Sequence, residues 1–138
     1  MVRVRERPAV GDVVQFELPG GRWAYGRILR DASVAFYRQV TNEPGQPPIG
    51  SRNYLFVVGV HDSVFRSPLC SIVGHDPSSS GHDDWPPPFR VDDPITGNVS
   101  VYKRGSITPA SKDVVEGLEP AAVWELNHLL ARLTHELE

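Results

Sequence analysis

A single cysteine among 138 residues rules out a disulfide within the chain. Set in SPLCSIV, Cys70 reads as a small buried hydrophobe rather than a nucleophile. Apolar runs are short as well: the longest, YLFVVGV at 54–60, falls far below the ~20 residues a membrane-spanning helix needs. The opening MVRVRERP lacks the apolar core of a secretion signal, so the expectation is a cytoplasmic protein that contacts no membrane. Positive charge is not in surplus either. A formal net charge of -3 argues against a nucleic-acid partner, whose phosphates require a basic face. Glycine-rich phosphate cradles are missing, because PGG (19–21) and RGS (104–106) do not sit between a strand and a helix.

Chemistry-bearing sets are sparse. His75, Asp76, His82 and Asp83, in HDPSSSGHD, carry donor atoms suited to a divalent ion. A Ser/Gly loop does not preorganise them, and the spacing matches no zinc pattern, so no metal or cofactor is expected. Ser71, His61 and Asp62 make a catalytic set only on paper, since neighbours in a strand point to opposite faces. Asp83-Asp84 and Asp92-Asp93 are sequence neighbours rather than a facing pair, and read as loop charges.

What the chain does contain is a β-rich pattern followed by a helical one. At this length a single domain, 1–138, can bury roughly two thirds of its unfolded surface. Gly20-Gly21 suits a two-residue turn, which would set Leu18 opposite Trp23, Phe16 opposite Tyr25 and Val14 opposite Arg27 on one face. Gly26 leaves a gap where the backbone can bend or another element can approach closely. Further strands are expected at 34–40, at 54–60, in a broken run at 64–74 and at 99–103. The run at 54–60, apolar at nearly every position, suggests a central strand. From Pro120 onward Ala122, Leu126, Leu129, Leu130, Leu133 and Leu137 form one helical stripe. On the opposite side Arg132 can pair with Glu136, four residues on. The fold expected is α+β: a curled, mainly antiparallel sheet of five or six strands, small-barrel-like, with a C-terminal amphipathic helix packed on it. Trp23, Tyr25, Phe16 and Leu18 would then bury against Leu126, Leu130 and Leu133.

Charge is unevenly spread: residues 75–93 hold five Asp (76, 83, 84, 92, 93) against Arg90 alone. Within GHDDWPPPF, Trp85 stands beside two acids on a proline-stiffened segment, the composition of an interface anchor with charges that steer a basic partner. A different reading is a small-barrel binding module that recognises a peptide or a modified side chain in a cage of Trp23, Tyr25 and Phe36. A third is a hydrolase using His75, Asp76, His82 and a metal.

GDVVQFELPGGRWAYGRILRD (11–31), VAFYR (34–38), FVVGVHD (56–62) and GLEPAAVWELNHLLARL (117–133) together resemble the bacterial polymorphic-toxin immunity proteins of the immunity protein 26 family. The most specific parts are the opening GDVxxxxLPxGxxxxGR and the closing GLExAAVWxxxxLxxRL. The resemblance implies a non-enzymatic inhibitor that binds one cognate protein toxin, and it brings no catalytic residues. Many intracellular toxins are nucleases with basic sites, which an acidic surface can occlude. The residues expected to meet the toxin are Asp76, Asp83, Asp84, Trp85, Asp92 and Asp93. The sequence does not set the oligomeric state.

Overall fold

In the computed structural model, which describes residues 7–77 and 83–137, the chain is α+β, as the sequence predicts. Five strands come first: β1 (Asp12–Leu18), β2 (Arg22–Ile28), β3 (Ser33–Thr41), β4 (Tyr54–Val60) and β5 (Cys70–His75). After them follow β6 (Phe89–Asp92), β7 (Val99–Lys103), β8 (Ser106–Ala110), α1 (Lys112–Val115), β9 (Val123–Trp124) and α2 (Leu126–Glu136). A curled six-stranded sheet runs β5-β1-β2-β3-β4-β9, and β6-β7-β8 form a second, three-stranded sheet. Only β9 is parallel to its neighbour, which makes the large sheet mixed.

The first hairpin corrects the expected register. Leu18 pairs with Arg22, so Pro19, Gly20 and Gly21 form a three-residue loop, with both glycines at positive φ (85° and 72°). Phe16 therefore faces Ala24, and Gln15 faces Tyr25. A one-residue slip exchanges the faces of a strand. Trp23, Tyr25 and Arg27 thus lie opposite to Phe16 and Leu18, and the sheet is packed on both sides.

On one face Phe16, Phe36 and Phe56 form a tilted aromatic row, with centroids 5.6 and 5.0 Å apart, under the helix residues Leu129 and Leu133. Leu126 and Leu130 flank that core rather than forming its centre. Burying Leu129 and Leu133, both 0% exposed, contributes about 1.5–3 kcal/mol each. Gly26 permits the close approach the sequence suggests: a Cβ there would lie 2.5 Å from Val34 Cγ1 and 3.2 Å from the Phe36 ring. The other face holds Val13, Tyr25 and Tyr37, joined by Trp23, Tyr54 and Val73.

Other expectations are also revised. The run 54–60 is a strand, but it lies next to the sheet margin, where two residues of β9 are its only outer neighbour. Its buried positions alternate (Phe56, Val58, Val60), whereas β2 and β3 each hold five consecutive buried residues and so are buried on both faces. Residues Asp62–Arg66 form a 3-10 turn, so the broken run at 64–74 supplies a strand only from Cys70. Pro120 does not open the helix. Its segment bridges to Arg90 and continues into β9, so Ala122 lies outside α2, which begins after Glu125. Backbone pairing with β6 and β4 has overridden helical periodicity there: the Arg90 N–H donates to the Glu119 carbonyl, and the Ala121 N–H to the Arg90 carbonyl.

Arg132 pairs with Glu136 at 3.0 Å, as its spacing predicts, yet it is not confined to the solvated side. Its guanidinium sits 3.8 Å from the Phe56 ring centroid and forms a two-pronged ion pair with Glu119. Two charged residues of the closing motif therefore bind the segment before α2 to the helix itself.

Candidate functional site

Arg27 stands mid-sheet on the second face, in the cross-strand row Val13–Arg27–Ala35–Val57. A charge only 3% exposed is tolerable when its donors are met. Arg27 Nε donates to the Asp76 carbonyl at 2.9 Å, and a terminal nitrogen donates to Asp84 Oδ1 at 2.8 Å. One side chain from β2 thereby holds two points of the segment that follows β5.

The Asp76 carboxylate, also buried, has its own set of donors. Its Oδ2 accepts from the Tyr37 hydroxyl (2.6 Å), Arg52 (2.8 Å) and the Gly50 N–H (3.2 Å). Burial pushes the Asp76 carboxyl up, but the bonds from Tyr37, Arg52 and Gly50 outweigh it and hold the group below the ordinary carboxylate range. Burial and the neighbouring Asp76 push the Tyr37 hydroxyl far up, so it remains a donor. The 41–53 segment is fixed to the same face through Gly45 N–H on Gln15 (2.7 Å) and Gln46 N–H on the Tyr25 hydroxyl (3.1 Å). Asp12 and Gly11 of the opening motif complete the frame. Asp12 bonds His75 at 3.0 Å, and a Cβ on Gly11 would meet that imidazole at 2.8 Å.

Beyond Asp84 the segment turns outward at a corner where three loops meet. Trp85 is half-buried between the guanidinium groups of Arg30 and Arg104, 5.8 and 5.7 Å from its centroid. Asp83 pairs with Arg104, the Arg30 N–H donates to the Asp84 carbonyl (2.8 Å), and the Tyr102 hydroxyl donates to Asp31 (2.7 Å). Asp31, Ala32, Asp84 and Arg104 have φ of 60°, 50°, 62° and 50°, and no other described residue except glycine has positive φ. Each such residue stores about 1–2 kcal/mol of strain, and strain of this kind concentrates where a surface is functional.

The sequence-expected toxin-binding residues thus divide. Asp83 and Trp85 meet at this corner. Asp76 and the 12%-exposed carboxylate of Asp84 face inward to Arg52 and Arg27. Asp92, on β6, pairs with Arg90 at 3.0 Å. Asp93 folds into a turn whose Ile95 and Thr96 N–H groups hold its carboxyl below the ordinary range. Four of the five aspartates are therefore matched by arginines, three of them (27, 52, 104) from distant positions that the charge count could not associate with the segment.

The alternatives weighed from sequence do not assemble among the described residues. Tyr25 and Phe36 are both 0% exposed and on opposite faces, so they cannot form a cage with Trp23. His61 caps the 3-10 turn, Asp62 pairs with Arg7 (2.7 Å), and Ser71 accepts from Gln15 (3.2 Å), so no catalytic set forms from them. No group of three or more metal-type ligands exists among the described residues, and His82 lies outside them. Among the described residues, no helix is long and apolar enough to cross a membrane. Cys70 is buried, as its setting in SPLCSIV suggests.

Fold and site define an α+β scaffold in which buried arginine–carboxylate contacts hold loops to a sheet and display an aromatic corner. The chain belongs to the immunity protein 26 family, whose family model matches residues 9–100. That span includes β1 to β6 and Trp85 but not Tyr102 or Arg104, and it ends before the closing motif. Comparison with curated proteins and with solved structures gave no match.

Proposed function

We propose that this immunity protein works in the cytoplasm of a bacterium carrying a polymorphic toxin, that its cognate toxin is an intracellular nuclease, and that it neutralises that toxin by covering the active site and transforms nothing itself. Family membership supports a toxin partner. The observation that carries the choice of surface is the Trp85 corner, where an aromatic anchor, two arginines and four left-handed residues meet. Hot spots are built from rigid tryptophan, tyrosine and arginine. The exposed carboxylates of Asp83, Asp92 and Asp93 complement the basic groups with which a nuclease holds phosphate. Asp76 and Asp84 contribute by fixing the segment that carries Trp85.

Protection at cellular concentrations requires nanomolar affinity, about -12 kcal/mol, more than rim charges provide, so a packed centre is needed. The test is co-expression with the toxin encoded beside this protein, followed by affinity measurement. Wild type should rescue growth, and D83A/W85A should bind at least about a hundredfold more weakly. Asp76 and Asp84 stay intact in that variant, because Asp84 partners the buried Arg27 and Asp76 is itself the buried acceptor of Tyr37, Arg52 and Gly50. Undiminished affinity would move the interface elsewhere.

A further inference from the structure

Beside Trp85, the described residues of the two segments lying on the second face leave part of it uncovered. A cleft of about 370 Å³ opens there between β4 and residues 83–87, lined by Leu29, Ala35, Tyr54, Val57, Trp85 and Pro87. Ala35 and Val57 are cross-strand partners; Ala35 is fully buried, so of this pair Val57 supplies the accessible floor, while Tyr54 and Trp85 supply aromatic surface. The charged residues at its margin are matched within the chain: Arg27 with Asp84, Arg52 with Asp76, Asp83 with Arg104. An anion or a cation entering this space would compete with an existing pair. An uncharged aromatic group would displace only water, and could meet Tyr54 and Trp85 edge to face.

We infer that this cleft receives one aromatic side chain projecting from the toxin, which makes it the packed centre of the interface. The inference rests on the toxin-binding reading above and adds to it the chemistry of the contact. Its volume lies at the small end of ligand pockets, suited to a single large side chain. Its position against Trp85 joins it to the strained corner, and buried centres ringed by polar contacts are where binding energy concentrates.

The experiment is a double-mutant cycle with the adjacent toxin, inactivated by substitution. On this protein V57F fills the cleft from a half-exposed strand position; V57L, with one more methylene, serves if V57F does not fold. On the toxin each exposed aromatic is changed in turn to Ala. Expected are a loss of affinity of about thirtyfold or more for V57F, an unchanged melting temperature, and one toxin aromatic whose removal costs as much in wild type and little further in V57F. V57F binding with wild-type affinity, or losses that simply multiply for every toxin aromatic, would overturn the inference and leave the toxin reading standing. A wild-type protein that does not bind the toxin at all would overturn both.

Discussion

Replacing Arg27 by Met keeps an unbranched apolar stem, shorter than that of Arg, and removes the guanidinium, which tests what that group does at mid-sheet. Arg27 is 3% exposed and the Asp84 side chain 12%, so water cannot take over either role. Two acceptors lose a donor together: the Asp84 carboxylate and the Asp76 carbonyl. Breaking a buried ion pair from one side costs about 3–5 kcal/mol, most of it from the charge left behind. For a domain of this size, at roughly 3–4 °C per kcal/mol, the melting temperature should fall by about 10–20 °C. D84A should cost a similar amount, because it strands the arginine instead. R27M/D84A leaves neither charge and should be less destabilised than the two single losses summed, by about 2 kcal/mol or more. Urea denaturation of the four proteins measures all three values. An R27M protein within 1 kcal/mol of wild type, or single effects that add in the double variant, would show that the pair does not fasten this segment to the sheet.

D76N tests the neighbouring carboxyl. Its folded-state affinity for protons is depressed, so its contribution is present above the ordinary aspartate value near 4 and is lost as pH falls below it; D76N should be less stable than wild type at pH 7 and should lose less between pH 5 and 2. G26A places a Cβ 2.5 Å from Val34 Cγ1 and should destabilise by about 1–3 kcal/mol in the same assay, with any smaller effect meaning that β3 yields easily. R132M removes the contacts with Phe56, Glu119 and Glu136 and should cost about 2 kcal/mol, part of which R132K should restore. Cys70, 1% exposed, should react with a thiol reagent only as fast as the protein unfolds.

Periodicity was a good guide wherever burial is one-sided. β4 and the leucine stripe of α2 follow directly, because apolar side chains recur there with the spacing of their element. Turn length was not readable: Pro19-Gly20-Gly21 permits a two- or a three-residue loop, and one residue decides which side of the sheet Trp23 and Tyr25 occupy. β8, SITPA, is exposed at four of its five positions and contains Pro109, so it carries neither alternation nor a clean edge pattern. At the site Trp85 stood out by composition, but Arg27, Arg52 and Arg104 did not. Their significance comes from pairings 57, 24 and 21 residues apart, which no local pattern encodes. Val57 and Ala35 read from sequence as strand residues; that Val57 floors a cleft depends on where Trp85 and Pro87 come to lie.

The aromatic row beneath α2 also has a history within each round of synthesis. Phe16, Phe36 and Phe56 all leave the ribosome before residue 60, and the leucines that cover them arrive only after residue 125. At about 5–20 residues per second the nascent chain spends several seconds with a pairable sheet whose greasy side is bare. Chaperone capture, or premature stops upstream of Leu126, should therefore act on a species that is already largely β-structured and still prone to stick.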